Sequence, residues 1–378
     1  MKIIRSIAKR LLEKIDVGKK IIVLYGARQV GKTTLITELL KKNPCKKLII
    51  NADEKKYIDL LSSRDFDKMK LLVSGYDILF IDEAQRVPDI GINLKILHDK
   101  LPKLQIIATG SSSFELANKI KEPLTGRTWS FKLYPVSFQE LSSISNAFET
   151  DKRLEELLIY GSYPEIFKYE NHNDKIDYLN EVGSSYLYRD ILDLSNIRNS
   201  SKIYDLLRLL ALQTGSEVSL SELGNNVGLT KETVKTYIDL LEKSFVIFRL
   251  PGFSRNLRKE ITKMDKIYFY DLGIRNMIIN QFQPIKMRND TGALWENFLI
   301  IERIKYHSYI NKKIKKYFWR TYSQSELDLI EDDGAKLCAY EFKWGNKIRK
   351  CPAAWEKNYP KTSFKCINQE NYFNFIGL

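Results

Sequence analysis

The stretch Tyr25-Gly26-Ala27-Arg28-Gln29-Val30-Gly31-Lys32-Thr33-Thr34 limits what this chain can fold into more than any other. It follows the apolar run Ile21-Ile22-Val23-Leu24, and Leu35, Ile36, Leu39 and Leu40 recur after it at helical spacing. Strand, glycine turn and helix form the context in which G-x-x-x-x-G-K-S/T becomes a phosphate-binding loop. Gly26 and Gly31 let the backbone bend where a Cβ would collide, so successive N–H groups can point inward at a phosphate. The helix opening near Gly31 adds its positive end to the same spot. Lys32 can then reach the β and γ phosphates, and the Thr33 hydroxyl can ligate Mg²⁺. The expected binding set is Gly26, Ala27, Arg28, Gln29, Val30, Gly31, Lys32, Thr33 and Thr34, and the ligand a nucleoside triphosphate, ATP, with Mg²⁺.

A partner for this loop lies downstream. Tyr76-Asp77-Ile78-Leu79-Phe80-Ile81-Asp82-Glu83 is an apolar run ending in two acids, as expected of a buried parallel strand whose carboxyl end faces a ligand. Asp82 is placed to hold Mg²⁺ opposite Thr33, and Glu83 to act as the general base for the attacking water. Lys47-Leu48-Ile49-Ile50-Asn51 reads as another strand, and Leu104–Ala108 as one more, ending in Thr109-Gly110-Ser111-Ser112-Ser113. Thr109 or Ser111 could bond the γ-phosphate or the lytic water. Arg127, before a fifth strand at Trp129–Leu133, is an arginine-finger candidate, in cis or on a neighbouring subunit; the alternative is a surface arginine in a turn.

These features resemble an AAA-type P-loop ATPase of the additional-strand, catalytic-glutamate group, a family common in archaea and bacteria. The likeness rests on GARQVGKTT, LFIDEAQ, ATGSSS and LTGR with YPVSFQEL. It implies ATP hydrolysis in the first third and a C-terminal domain of uncharacterised function. Three parts are expected, 1–145, 146–255 and 256–378. The fold class is α/β: a P-loop parallel sheet with helices on both faces, a helical and winged-helix segment, and a C-terminal α/β restriction-endonuclease-like domain.

In the middle part, Tyr186–Leu192 also resembles the family pattern, and Arg189 there is either a nucleotide sensor or half of a surface ion pair. Ser219-Leu220-Ser221-Glu222 opens a short helix, Val227-Gly228-Leu229 is a turn, and Thr230 caps a second helix with Val234, Ile238 and Leu241 on one face. A strand at Phe245–Leu250 completes the layout of a winged helix-turn-helix. Lys231, Lys235 and Thr236 would face DNA phosphates, unless the fold serves only packing between domains.

The last third holds acids in an interpretable order. Glu296 lies on the apolar helix around Leu294–Glu302, Asp328 on an alternating strand, and Glu341 and Lys343 on the next, after an Asp332-Asp333-Gly334 turn. A hairpin would set the pairs side by side. The arrangement resembles the PD-(D/E)xK nuclease core, which implies metal binding at Asp328 and Glu341, with Lys343 near the water and Glu296 as a helical acid. The same fold could instead bind DNA without cutting it.

The net charge of +14 fits either a nucleic-acid footprint or a solubilising surface. Its excess lies in 249–266, 305–320 and 343–365, the last interleaved with Trp344, Trp355 and Tyr359, which either stack on bases or simply pack. DNA is the expected partner, and a homo-oligomer is possible. Four scattered cysteines and three histidines give no zinc pattern and fit a reducing, cytoplasmic setting. The amphipathic N-terminus, with Ile3, Ile4, Ile7, Leu11, Leu12 and Ile15 on one face, reads as a packed helix, and no stable membrane insertion is expected.

Overall fold

The computed structural model describes residues 3–111, 124–144, 147–184, 200–254, 264–321 and 323–378. It divides into two compact units, Lys2–Pro135 with Lys243–Phe245, and Val136–Glu242 with Val246–Leu378. Residues assigned above to separate middle and C-terminal parts thus belong to one compact unit. Ser112, Ser113, Arg189 and most of the 186–192 tract's neighbourhood, with the tract itself, lie outside the described residues.

The first unit is built on five strands, β1 (Ile21–Tyr25), β2 (Lys47–Asn51), β3 (Ile78–Asp82), β4 (Gln105–Gly110) and β5 (Thr128–Lys132). All neighbours run parallel, in the order β2-β3-β4-β1-β5. The three central strands are buried at every residue, because helices flank the sheet and no face is left for water. That is why their sequences are continuous apolar runs. Edge strands β2 and β5 are only partly buried.

The flanking helices are α1 (Ala8–Val17), α2 (Lys32–Lys41), α3 (Lys55–Leu61), α4 (Phe66–Val73) and α5 (Ile90–Lys100). Helix α1 buries Leu11 and Ile15, its N-cap Ile7 is buried too, and it ends at Gly18 in the left-handed region. Ile4 does not join that face. It precedes the helix, so helical spacing no longer applies to it, and it is 68% exposed.

The second unit begins with α6 (Phe138–Ser142), whose start carries the full capping box of Ser137 and Glu140. There follow α7 (Ala147–Tyr160), α8 (His172–Val182) and α9 (Ser200–Leu212). Next come α10 (Leu220–Val227), a turn through left-handed Gly228, and α11 (Lys231–Lys243). Ser219 accepts from the Glu222 N–H (3.3 Å) and Thr230 from the Thr233 N–H (3.2 Å), so both expected caps form. Antiparallel β6 (Ile247–Leu250) and β7 (Lys266–Phe269) follow, with Glu217 bridging to Lys266. This ladder spans the sequence boundary expected at residue 255.

After α12 (Leu272–Ile278), the long α13 (Thr291–Tyr309) supports a four-stranded mixed sheet. Its strands are β8 (Lys315–Arg320), β9 (Glu326–Asp332), β10 (Leu337–Phe342) and, after α14 (Ala353–Asn358), β11 (Ser363–Ile367), in the order β11-β10-β9-β8. Helix α15 (Tyr372–Ile376) ends the chain. The β9–β10 hairpin is the one expected from the Asp332-Asp333-Gly334 turn.

Helix α13 also carries a buried ion pair one turn apart. Lys305 Nζ donates to Glu302 (2.7 Å), to the Val136 carbonyl (3.0 Å) and to Ser162 Oγ (3.3 Å), while Glu302 accepts the Phe138 N–H (2.8 Å). Burial raises the Glu302 carboxyl, and Lys305 and the Phe138 N–H pull against that shift.

Trp355 settles one alternative left open by the sequence. It is fully buried in a core with Phe253, Tyr317, Trp319, Leu327 and Ile330, and Tyr359 packs against that cluster. The Trp355 ring packs and offers no face for a base. Trp355→Ala should destabilise the fold by about 3–5 kcal/mol, the usual cost of emptying a buried aromatic site, as read by urea denaturation.

Candidate functional site

Parallel pairing brings the carboxyl ends of β1, β3 and β4 to one edge of the sheet, with β4 inserted between the other two. The loop from Gly26 to Thr33 leaves β1 at that edge, Asp82 closes β3, and Gly110 closes β4. This is the crevice where open α/β sheets bind ligands.

The loop is shaped by its two glycines. A Cβ on Gly26 would lie 2.2 Å from the Leu133 carbonyl oxygen, and Gly31 has a φ of +91° just ahead of α2. Lys32 is buried, and its ammonium donates back to the carbonyls of Gly26 (2.9 Å) and Ala27 (2.8 Å). Val30 is buried, Arg28 half-buried, and Gln29, Thr33 and Thr34 exposed. Beneath the loop lies a residue that sequence reasoning missed. Arg5 is buried and donates to the carbonyls of Val30 (2.8 Å) and Tyr134 (2.6 Å), bracing the loop from behind. No motif marks it; it is a lone arginine ahead of α1.

Asp82 is the hub. One carboxylate oxygen accepts from Thr33 Oγ1 (2.7 Å) and the other from Thr109 Oγ1. Thr33 and Asp82 are hard oxygen donors brought to one point, so they fit an Mg²⁺ ion. Thr109 is fully buried and committed to Asp82, so it does not face the crevice as a phosphate contact. Glu83 follows at the left-handed φ of +52°, which only a few per cent of non-glycine residues adopt. Gln85 donates its amide to Glu83 and to Ser111 Oγ (3.1 Å).

Arg127 stands elsewhere. It precedes β5, whose Thr128 pairs with Ile21 at the start of β1, so it lies at the opposite edge of the sheet from the loop. The strand between them is roughly 16 Å long at about 3.3 Å per residue. Arg127 forks onto both oxygens of Asp99 (2.8 and 3.1 Å). Its guanidinium holds the Asp99 carboxyl below the usual range. A cis arginine finger is therefore closed off by strand direction.

In the second unit the C-terminal acids do come together. Asp328 is buried, accepts the Phe342 N–H (2.7 Å), and is pushed well above the usual carboxylate range by burial and then by the charges of Glu296 and Glu341. Lys343 (2.8 Å) and Arg349 (2.6 Å) both bond Glu341 Oε1, while the buried Glu341 Oε2 has no hydrogen-bond partner. Glu296 accepts from Tyr268 (2.5 Å) and from buried Lys266 (3.2 Å). Both donors come from β7, far from these acids in sequence, and no pattern announces them. Among the described residues no three His, Cys, Asp or Glu side chains are grouped closely enough to hold a metal ion. Any metal here would rest on fewer carboxylates, helped by backbone oxygen.

On α11, Lys231, Lys235 and Thr236 are exposed as expected, and so are Lys347, Arg349, Lys350, Lys357, Lys361 and Lys365 near the C-terminus. No helix among the described residues is long and apolar enough to cross a membrane.

Comparison with known proteins gives matches over three segments. The family model described as an AAA domain matches residues 18–142, and two described as domains of unknown function match 151–284 and 291–365. An uncharacterized protein of Methanocaldococcus jannaschii is 26% identical over 357 residues, covering 89% of this chain and 78% of its own. One from Mycobacterium tuberculosis is 26% identical over 327 residues, covering 85% and 70%. Among solved structures, a Walker-type ATPase of Pyrococcus abyssi superposes with a TM-score of 0.50 at 18% identity, over 72% of this chain and 94% of that one. Sheet order and loop geometry agree with the family match: residues 18–142 have the fold of a P-loop ATPase.

Proposed function

We propose that the protein is an Mg²⁺-dependent ATP hydrolase whose second unit engages DNA. The observation that carries the enzymatic half is the Asp82 carboxylate held between Thr33 and Thr109, beside a loop already closed around Lys32. Triphosphate entering the crevice meets the loop N–H groups and the end of α2. Lys32 exchanges the carbonyls of Gly26 and Ala27 for phosphate oxygens, and gains charge-assisted bonds in doing so. Thr33 and Asp82 would hold Mg²⁺, which supplies positive charge against the β and γ oxygens. Glu83 orients the attacking water and takes its proton. Arg127, at the far edge of the sheet and forked onto Asp99, would act as a finger only on a neighbouring copy, and is otherwise a surface arginine in a turn.

The DNA half rests on exposure and layout. α10, the Gly228 turn, α11 and the antiparallel pair β6 and β7 are read as a winged helix-turn-helix, with Lys231, Lys235 and Thr236 exposed. With a net charge of +14, binding should weaken steeply as salt rises.

Two roles are open to the cluster of Asp328, Glu341, Lys343 and Glu296. The unpartnered Glu341 Oε2 beside a buried Asp328 favours a nuclease-like site that takes up Mg²⁺. The cations already seated on Glu341 and Glu296 favour the second reading, a nucleotide-switched regulator that grips DNA or protein without cutting.

Glu83→Gln should lower ATP turnover by about 10²- to 10⁴-fold, the usual contribution of a general base, with ATP affinity retained. Unchanged turnover would remove Glu83 from that role. Lys32→Ala should abolish ATP binding in calorimetry. For the acid cluster, Mg²⁺ without nucleotide should raise the melting temperature of the wild type more than that of Asp328→Asn. An equal response argues against a metal there, and plasmid cleavage by wild type and Asp328→Ala alike would end the nuclease reading.

A further inference from the structure

We infer that Gln85 is a positioning residue for hydrolysis, holding Glu83 in place from Ser111 at the end of β4; this rests on the ATPase reading above. Gln85 lies in the short 3₁₀ turn Ala84–Arg86 that follows Glu83. Its side chain is buried (7% exposed), and its amide nitrogen donates to the Glu83 carboxylate and to Ser111 Oγ, while Oε1 has no hydrogen-bond partner. The amide cannot be turned around without cost, because its oxygen would then face the carboxylate. Burying a polar group with one end unsatisfied costs roughly 1–3 kcal/mol, so packing alone does not account for a glutamine here. A methionine would fill the same space without that cost.

What the amide supplies is direction. Glu83 sits at a left-handed φ, and without a tether its side chain can turn along several rotamers away from the crevice. The amide fixes one carboxylate oxygen and leaves the other open to a water. Its second bond anchors it to β4, the strand that lies between the P-loop strand and the Asp82 strand. The base is therefore referenced to the same rigid sheet edge as the phosphate-binding loop. A base misplaced by about 1 Å can lose as much as 10²-fold in rate, which sets the scale of what the tether protects.

The test uses the full chain. Gln85→Met keeps the volume and removes the donor; it should lower kcat about 10- to 100-fold, the equivalent of one hydrogen bond to a charged group. KM for ATP and calorimetric affinity for a non-hydrolysable ATP analogue should stay near wild type, and the melting temperature should not fall. Ser111→Ala should lower kcat less, and Gln85→Met with Ser111→Ala should be no worse than Gln85→Met alone, since both act through one tether. Wild-type turnover in Gln85→Met overturns the inference, as does a loss of analogue affinity matching the loss of kcat, or full additivity of the two substitutions. Absence of turnover in the wild type would instead overturn the ATPase reading itself.

Discussion

The first unit depends on one buried carboxylate. Asp82 ends β3, yet its two oxygens are satisfied from Thr33 at the start of α2 and from Thr109 on β4. An ionised group taken out of water is tolerated only where hydrogen bonds replace its hydration. The two hydroxyls answer that need and, in doing so, join three elements that follow one another only distantly in sequence. Substituting either threonine would leave an oxygen without a partner at the place where the loop, β3 and β4 meet.

The second unit has a comparable device in Glu302 and Lys305. Neither is able to reach solvent, and each bonds the backbone of the segment entering α6, at Phe138 and Val136. Such a pair contributes little net stability compared with apolar packing, but removing one partner strands the other, so it specifies one arrangement of α6 on α13.

Much of the first unit was legible in the sequence because its signals are local. β1, β3 and β4 are covered on both faces, so each appears as an unbroken apolar run, and the glycines mark where the chain must bend. The edge on which Arg127 falls was not legible. A turn before a strand looks the same whether it lies near the loop or a strand's length away, and only the pairing of Thr128 with Ile21 decides it. Arg5, Lys266 and Tyr268 were missed for a related reason. Each acts through contacts across the fold, and one arginine, lysine or tyrosine carries no periodicity. Trp355 and Tyr359, interleaved with lysines, carried a composition that stacking and packing share; burial alone separates them.

Lys32, folded back on the carbonyls of Gly26 and Ala27, bears on what it would cost to fill the loop. A loop closed on its own ammonium has given up its disorder before any nucleotide arrives. On the proposed reading, capture would be an exchange of oxygens around one nitrogen, with little chain left to organise and the entropy lost on binding falling mainly on the ligand. A lysine left in solvent would fulfil the same motif while leaving the ordering of the loop to each encounter.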